Sequence, residues 1–517
     1  MKLEPGEIVG FHYLCNMKKI SALFLILLIL SFAIVQARNP KREFRGAWLH
    51  VIGQSQWMNK SVAQQQTYIE DQLDKLQQAG CNAVIFQVRP TADALYISEL
   101  EPWSSWLTGK RGKAPSPLWD PMEYAIEAAH KRGMEFHAWL NPYRVTSNAK
   151  EQLPDNHLIF KEPHRFVKFN GQTFFDPAYP ENRDHICNVV KDIVTRYDVD
   201  GIHIDDYFYP YPANGKKFEN DDKSYAKFGE GMNRNDWRRH NVDLLIEQLY
   251  ATIKGEKEWV RFGVSPFGIW RNKKNDPRGS ESSGLQNYDD LYADVLLWAK
   301  NGWVDYLVPQ LYWTLDLKAA PSRHLAKWWN DNANGVDVYI GQDVQRTMTN
   351  ADPGNNDSNE LDTKVRLSRQ LPNIKGNVWW HGYWVTDNLK GVADSLALKY
   401  QSTIALPPAY GARNEAPAKV KNLKMVKDNG RLYLTWTNPT KGTAPKASDP
   451  VRYVVYQFFP DEEIDIEDSE TIIAVTPYNS VLIEDLAAGP SAEGSTFIVT
   501  ALDRLNRESE PVSVKWK

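Results

Sequence analysis

The sequence predicts a (β/α)8 barrel followed by a small all-β sandwich. Beyond residue 38, eight short runs rich in β-branched and aromatic residues alternate with longer amphipathic stretches of helical period. Several of these stretches end in Gly just before the next run, as at Gly80 and Gly302, which is typical of helix C-caps. After residue 417 short alternating strands replace the helical period. A doubly wound open sheet is the alternative for the first part, but no GxGxxG motif follows its first strand.

Strand–helix pairs follow one another along the barrel segment, which is the repeat of a (β/α)8 barrel. In the first helical stretch, Ile69, Leu73 and Leu76 recur on one face. The predicted strands are Phe44–Ile52, Asn82–Arg89, Met134–Leu140, Val199–Asp205, Val260–Phe267, Val304–Tyr312, Val336–Asp343 and Asn377–Tyr383. The predicted helices are Val62–Ala79, Pro121–Arg132, Glu181–Tyr197, Asp236–Ile253, Tyr288–Lys300, Ser322–Asn332, Glu360–Leu371 and Leu389–Tyr400.

The first residues have the pattern of a secretory signal. Ile20–Val35 is almost entirely apolar, two lysines precede it, and small residues stand before a cleavage point after Ala37. We therefore expect residues 1–37 to be a signal region with its start at Met17. An uncleaved membrane anchor is the alternative, because the apolar run approaches the length that spans a bilayer. No cysteine follows the run closely, so the sequence does not predict a lipid anchor.

Three further segments follow the signal region. Residues 38–406 are the predicted barrel, residues 407–416 form a linker rich in Pro, Ala and Gly, and residues 417–517 are the predicted sandwich. The runs in the last segment look like those of a fibronectin type III module, which usually spaces, docks or binds. Its predicted strands are Leu432–Trp436, Arg452–Phe459, Thr471–Val475, Ser480–Ile483 and Thr496–Asp503.

Composition narrows the functional classes. Lys and Arg total 61 against 65 for Asp and Glu, and the net charge of −4 argues against a nucleic-acid-binding protein. The three cysteines have no metal-ligand spacing, so we expect no structural zinc, no cofactor, and free buried thiols at Cys81 and Cys187. The 19 Trp, 24 Tyr and 19 Phe residues suit either a large core or the flat faces of sugar rings.

The predicted strand ends carry side chains that suit a polyhydroxylated ligand. Barrel active sites lie at the C-terminal ends of the strands. At nearly every end a polar side chain stands beside an aromatic one, so rings can stack on sugar faces while amides and guanidinium groups meet hydroxyls. The candidate binding residues are Gln87, Arg89, Asn141, Tyr143, Arg144, Asp176, His203, Tyr207, Gln310, Tyr312 and Trp313.

The strongest local signal is the adjacent pair Asp205-Asp206 at the end of the fourth predicted strand. Two carboxylates this close cannot both ionise cheaply, so one pKa should rise, which is the condition for pairing a general acid with an anionic partner. Asp343, which ends the seventh strand, and Asp176 are candidates for the second carboxylate of a two-acid glycosidase. A loop-ordering pair is one alternative, and a divalent metal site with His203 is another.

Six motifs resemble the glycosyl hydrolase-like 10 family, over roughly residues 44–400. They are Phe44–Leu49, Gln87–Pro90, Ala138–Arg144, Gly201–Pro210, Gly263–Arg271 and Pro309–Trp313. The resemblance implies a secreted (β/α)8 glycoside hydrolase, and some members are linked to bacterial cell-wall glycan. The acidic pair also resembles the strand-four pair of glycoside hydrolase family 84. There the 2-acetamido group of the substrate is the nucleophile, one Asp orients that group, and the other is acid and then base.

We therefore expect a secreted or periplasmic enzyme that cleaves O-glycosidic bonds of a polysaccharide, with N-acetylated peptidoglycan glycan as the favoured substrate. Asp205 is the expected nucleophile or acetamido-orienting group, and Asp206 or a loop carboxylate is the acid. Arg89 and Arg144 suit an anionic group such as the lactyl carboxylate of a muramyl residue. The alternatives are a non-catalytic glycan-binding protein and a metal-dependent hydrolase. No nucleic-acid partner, no obligate protein partner and no membrane contact beyond the signal segment are expected.

Overall fold

The computed structural model describes residues 39–411, 416–440, 445–483 and 494–516. The predicted signal region 1–37 lies outside the described residues. Within them, no helix is both long enough and apolar enough to cross a bilayer.

The first part of the chain is the predicted barrel. Eight parallel strands close on themselves, with the first strand hydrogen-bonded to both the second and the last. They are β1 (Phe44–Leu49), β2 (Ala83–Arg89), β3 (Glu135–Leu140), β4 (Gly201–Ile204), β5 (Arg261–Val264), β6 (Tyr306–Leu307), β7 (Asp337–Asp343) and β8 (Ile374–Trp380). The prediction of a (β/α)8 barrel is confirmed, because these strands alternate with helices as the sequence pattern requires.

Two strands are shorter than their apolar runs because proline interrupts the hydrogen bonding between strands. β5 ends two residues before Pro266, and β6 is only 2 residues long and stops ahead of Pro309. Proline has no N–H to donate to a neighbouring strand. Isolated bridges at Gln310 connect this region to its neighbours on both sides, so the barrel stays closed.

Among the described residues, seven helices that correspond to predicted ones surround the barrel. They are α1 (Val62–Gln78), α2 (Pro121–Lys131), α3 (Pro180–Arg196), α4 (Arg234–Glu256), α5 (Val295–Asn301), α6 (Ser322–Asp331) and α7 (Leu361–Gln370). α1 begins with a capping box between Ser61 and Gln64. The helix predicted from Tyr288 is divided, because Tyr292 has a φ of 56°, which a right-handed helix does not accommodate. The eighth helical segment consists of three short turns, Leu389–Gly391, Val392–Ser395 and Leu396–Tyr400.

The loops carry additional short elements that periodicity did not predict. A hairpin of strands Phe166–Phe169 and Gln172–Phe175 lies in the connection after β3. The short helices are Ser105–Thr108, Leu158–Lys161, Asp222–Phe228, Asn287–Asp290, Val344–Thr349 and Gly382–Thr386.

The core has two layers. The larger one lies between the strands and the helices, and it includes the free buried thiols Cys81 and Cys187, as predicted. The smaller one fills the barrel interior with rings, among them Phe44, Tyr306 and Tyr339. Phe44 stacks on Tyr339 with ring centroids 4.1 Å apart. The barrel is therefore a packed solid below its mouth.

The C-terminal part forms two antiparallel sheets. Its strands are β9 (Lys421–Asp428), β10 (Arg431–Thr437), β11 (Pro450–Phe458), β12 (Ile472–Thr476), β13 (Ser480–Leu482), β14 (Thr496–Asp503) and β15 (Val512–Lys515). One sheet has the order β9-β10-β13 and the other β12-β11-β14-β15. Residues of both sheets share one buried cluster that includes Trp436 and Tyr453. The predicted all-β architecture is confirmed, and β9 and β15 are strands that the prediction missed.

The C-terminal sheets pack against the base of the barrel, where the strands begin. The amide of Asn506 donates a hydrogen bond of 2.7 Å to Glu135, the first residue of β3. The guanidinium of Arg452 donates to the carbonyl of Gly133 at 3.3 Å. Lys41, at the start of the barrel, pairs with Glu508 at 2.7 Å. This contact therefore lies at the end of the barrel opposite to the C-terminal ends of the strands.

Candidate active site

A cavity of about 320 Å³ opens at the C-terminal ends of the strands. Seven of the eight strands, or the segments that follow them, contribute to its walls. The lining residues are Trp48, His50, Ile52, Gln87, Trp139, Arg144, Asp205, Asp206, Tyr207, Ser265, Gln310, Tyr312 and Trp380. This end of the barrel is where the fold places substrate sites.

Asp205 lies at the cavity wall and is held by hydrogen-bond donors. The indole of Trp139 donates to Oδ2 at 3.0 Å, and the amide of Asn141 lies 3.2 Å from each carboxylate oxygen. The backbone N–H of Tyr207 donates to Oδ1 at 3.4 Å. Burial raises the pKa of Asp205, but the charge of Arg144 and these donors favour the ionised form.

Asp206 has a different environment. It is buried, and the hydroxyl of Tyr211 donates to its Oδ2. Burial raises its pKa to about 7, the negative charge of Asp205 adds to that rise, and hydrogen bonds from Tyr211 and Gln310 oppose it. Burial is a larger cause of this rise than the neighbouring carboxylate, and the pKa values of both carboxyl groups are raised.

The two environments separate the roles of the adjacent carboxyl groups. Asp205 receives three side-chain or backbone donors and lies near a guanidinium, so it is suited to carry negative charge. Asp206 is half protonated at a pH of about 7. Neither carboxylate forms an ion pair with any residue that the structure describes. Carboxyl groups whose environments differ in this way are typical of acid/base catalysis.

Aromatic rings form a large part of the cavity wall. The rings of Tyr312 and Trp380 are nearly parallel, at 8°, with centroids 6.3 Å apart. Trp48 lies edge-on to both, at 6.4 Å from Tyr312 and 6.2 Å from Trp380. Trp139 lies 6.1 Å from Trp380 and joins this wall to Asp205. Flat apolar faces beside a pair of carboxyl groups suit a sugar ring.

Seven of the sequence-predicted site residues line this cavity. They are Gln87, Arg144, Asp205, Asp206, Tyr207, Gln310 and Tyr312. Arg144 stacks over the ring of Tyr207 at 4.7 Å, and none of the described residues accepts a hydrogen bond from its buried Nε. Asn141 lies behind the wall, where it holds Asp205. These residues come from four different strand ends, β2, β3, β4 and β6, as the position of barrel active sites predicts.

Arg89 is not placed in the cavity. Its side chain is fully buried, and it forms a bidentate ion pair with Glu101 at 2.6 and 2.5 Å. It also donates to the carbonyl of Asn141. His185 donates to the same carboxylate at 2.9 Å. Arg89 is thus committed to neighbouring loops and presents no free donor to a ligand in the cavity.

Asp343 also lies outside the cavity. Its carboxylate accepts a hydrogen bond of 2.7 Å from the backbone N–H of Arg346 and caps the helix Val344–Thr349. Asp343 therefore has the position of an N-cap residue rather than of a second carboxylate facing Asp205.

Four further predicted residues lie in the surrounding core. Asp176 is buried in the connection after β3, where burial raises its pKa to about 6. Tyr143 is fully buried. Trp313 packs edge-on against Phe267 at 5.4 Å. His203 lies below the cavity, with both ring nitrogens hydrogen-bonded to side chains. No group of three or more potential metal-binding side chains occurs among the described residues.

The sequence argument missed six lining residues and one residue behind them. The lining residues are Trp48, His50, Ile52, Trp139, Ser265 and Trp380, and Tyr211 lies behind Asp206. Trp48 and Trp380 stand at the ends of β1 and β8, where a tryptophan on a strand looks like a core residue. The strand-end rule, applied to aromatic residues as well, is the signal that would have found them.

Comparison with known proteins gives a consistent result. A model of the Glycosyl hydrolase-like 10 family matches residues 43–358. Glycosyl hydrolase YngK of Bacillus subtilis (strain 168) is 37% identical over 496 residues, which cover 93% of this chain and 95% of that protein. Glycosyl hydrolase DigH of Escherichia coli (strain K12) is 38% identical over 372 residues, which cover 66% of this chain and 83% of that protein. The matched segment contains every lining residue of the cavity except Trp380.

Proposed function

We propose that this chain, which belongs to the glycosyl hydrolase-like 10 family, is a glycoside hydrolase that cleaves O-glycosidic bonds of a polysaccharide in the cavity at the barrel mouth. The observation that carries the proposal is the contrast between the adjacent carboxyl groups. Asp205 is surrounded by donors, while Asp206 has a pKa of about 7 and is half protonated at that pH. An enzyme that breaks a glycosidic bond needs one group of each kind.

In the proposed reaction, Asp206 donates its proton to the leaving glycosidic oxygen as the bond from the anomeric carbon to that oxygen breaks. Asp205 stabilises the positive charge that develops, either by attacking the anomeric carbon or by holding the N–H of a 2-acetamido group that attacks it. A water molecule then adds to the anomeric carbon as the bond from that carbon to Asp205 or to the acetamido oxygen breaks, and Asp206 recovers a proton from the water. The donors to Asp205 keep its carboxylate in place throughout.

The proposed substrate is an N-acetylated cell-wall glycan. The near-parallel rings of Tyr312 and Trp380 offer flat faces for sugar rings, and Gln87 and Gln310 offer amides for hydroxyl groups. Arg144 has a buried Nε without an acceptor among the described residues. A guanidinium in that state suits an anionic substituent, and the lactyl carboxylate of a muramyl residue is such a group.

The proposal extends to the organisation and location of the chain. The apolar run Ile20–Val35 supports export to a secreted or periplasmic location through cleavage after Ala37. We propose boundaries of 38–406 for the barrel, 407–416 for the linker and 417–517 for the sandwich. A three-stranded sheet packed on a four-stranded one supports a fibronectin type III class for the last segment.

The test is release of reducing ends from purified glycan strands by wild type and two matched variants. We expect Asp205→Asn to lose turnover by about 100-fold or more while glycan binding persists. Asp343→Asn keeps an N-cap side chain and should retain activity, since Asp343 caps a helix outside the cavity. Wild-type binding without release would favour a non-catalytic glycan-binding protein, and activity lost on exhaustive chelation would favour a metal-dependent hydrolase.

A further inference from the structure

A continuous line of hydrogen-bonded side chains runs through the barrel from its base toward the cavity. Glu135, at the start of β3, lies 3.1 Å from Nε2 of His137. Nδ1 of His137 lies 2.7 Å from the hydroxyl of Tyr306, which in turn lies 3.1 Å from Nδ1 of His203. All four side chains are almost fully buried, with exposures of 0–2%. The line therefore has no access to water along its length.

The upper end of the line reaches two residues that line the cavity. The indole N–H of Trp48 donates to Nε2 of His203 at 3.3 Å, and the hydroxyl of Ser265 lies 3.0 Å from the same nitrogen. The carbonyl of Ser265 accepts a hydrogen bond of 2.9 Å from Gln310, whose side chain also bonds Asp206. The line thus ends under the aromatic wall and beside the proposed acid.

The two ends fix the direction of every hydrogen bond between them. An indole N–H can only donate, so Nε2 of His203 is an acceptor and its proton lies on Nδ1. That proton points to the oxygen of Tyr306, whose own hydroxyl proton then goes to His137. His137 donates from Nε2 to Glu135, an acceptor in its ionised form. One arrangement of protons satisfies all four links, and its reverse would place two protons between Trp48 and His203.

The lower end of the line is held by the C-terminal sheets. Asn506 donates to the second oxygen of Glu135 at 2.7 Å, and Arg452 donates to Asn506 at 2.5 Å. Burial opposes the charge on Glu135, but hydrogen bonding to His137 and neighbouring positive charge hold its pKa below the ordinary value. The C-terminal sheets thus stabilise the acceptor that orders the line.

Two glycines in the barrel strands make room for the line. A Cβ at Gly201 would lie 2.4 Å from Nδ1 of His137, and a Cβ at Gly263 would lie 1.9 Å from the ring of Tyr306. Glycine weakens a strand interior unless another group approaches closely there. The backbone therefore has glycine at the two positions where the rings of His137 and Tyr306 approach it most closely.

We propose that Tyr306, His137 and His203 are positioning residues. Their hydrogen bonds, whose direction is set by Glu135 and Asn506 at the base of the barrel, hold the side chains of Trp48 and Ser265 in place in the cavity. The expected effect on catalysis rests on the proposed function, whereas the ordered line of hydrogen bonds does not depend on it. Trp48 lies edge-on to both rings of the aromatic wall, so a tilt of its indole displaces the surface on which a sugar would stack. Small displacements of positioned groups cost up to about 100-fold in rate.

The test of the line compares two tyrosine-to-phenylalanine variants from the same core layer. Tyr306→Phe removes the hydroxyl at the middle of the line. Tyr339→Phe is the matched control, because its hydroxyl contacts Asp337 and Arg261, neither of which belongs to the line, and both rings are fully buried. The readouts are the imidazole ¹⁵N resonances of the full chain, glycan binding, and kcat and KM separately.

We expect wild-type resonances with the proton of His203 on Nδ1 and that of His137 on Nε2. Tyr306→Phe should change both patterns and lower kcat by about tenfold to 100-fold, with a smaller change in KM. Tyr339→Phe should change neither the resonances nor kcat. Wild-type protons on the opposite nitrogens, or equal effects of the two variants, would overturn the proposal. A wild type with the expected resonances but no release of reducing ends refutes the proposed function alone.

A second pair of variants tests the contribution of the C-terminal sheets. Asn506→Ala removes the donor to Glu135, whereas Arg504→Ala removes a contact to Asp198 at the same interface, 2.6 Å long, that does not touch the line. We expect only Asn506→Ala to shift the His137 resonances and to lower kcat by a few-fold. Equal shifts in both variants, or none in either, would overturn the role assigned to Asn506.

Discussion

The raised pKa of Asp206 links catalysis to stability, and the variant Asp206→Asn tests that link. The native carboxyl has a pKa of about 7 against an ordinary value of 3.8, and its side chain is almost fully buried. The folded state therefore binds the proton more tightly than the unfolded state. The resulting stabilisation is complete below about pH 4 and is lost as the pH rises to about 7. A shift of three pKa units corresponds to about 4 kcal/mol.

An amide at this position cannot ionise, so Asp206→Asn should not show that loss. We expect the free energy of unfolding of the variant, relative to wild type, to increase by up to about 4 kcal/mol between pH 4 and pH 8. Urea unfolding followed by tryptophan fluorescence at a series of pH values measures the difference. The same variant should lose activity by about 100-fold or more, since it has no proton to donate.

Asp243 offers a matched control for this prediction. It lies on α4 outside the cavity, and burial raises its pKa to about 7 as well, although the indole of Trp298 donates to it at 2.6 Å. Asp243→Asn should show a smaller gain in stability at high pH, because the side chain is partly exposed, and full activity. Parallel stability curves for Asp206→Asn and wild type from pH 4 to pH 8 would refute the reasoning.

Three more predictions concern single contacts in and around the cavity. Tyr211→Phe removes a hydrogen bond that lowers the pKa of Asp206, so the alkaline limb of the pH profile of kcat/KM should move up by about one pH unit; a limb that stays or moves down contradicts this. Trp380→Ala should raise KM by about tenfold with a smaller effect on kcat, because a stacking face is lost, and an unchanged KM would count against stacking. Glu101→Gln leaves the charge of Arg89 buried without its full partner and should lower the free energy of unfolding by about 3–5 kcal/mol in urea, with KM unchanged.

The barrel could be predicted from the sequence because its repeat is long and each element is bounded by its own signals. The strands are bounded by polar turns and the first helix by Ser61 and Gly80, so periodicity and caps agree. The prediction lost accuracy where backbone geometry, not hydrophobicity, decides the outcome. Pro309 shortens β6, and Tyr292 divides a helix that its apolar period made continuous.

The sequence predicted those site residues whose side-chain direction is determined by their position at the end of a strand. Asp205, Gln87 and Gln310 line the cavity because the ends of parallel strands meet there. Arg89 occupies an equivalent strand end, yet it turns to Glu101, which lies in a loop that no periodicity describes. A buried charge needs a partner of opposite charge. Which residue is the partner of Arg89 depends on the conformation of a loop, and local sequence patterns do not determine that conformation.

The contact between the C-terminal sheets and the barrel limits which parts of the chain can be removed or exchanged. Tyr410, within the predicted linker, lies 4.6 Å over the guanidinium of Arg261, which is fully buried. A truncation before Tyr410 would expose the side chains of Arg261 and Glu135 to water. Two charged groups that are now buried would then lie on the surface at the base of the barrel. The barrel is therefore not a unit that can be exchanged without its C-terminal sheets. A recombinant protein that replaces the C-terminal sheets needs another domain to cover the base of the barrel. Insertions in the loops at the cavity leave the base of the barrel covered.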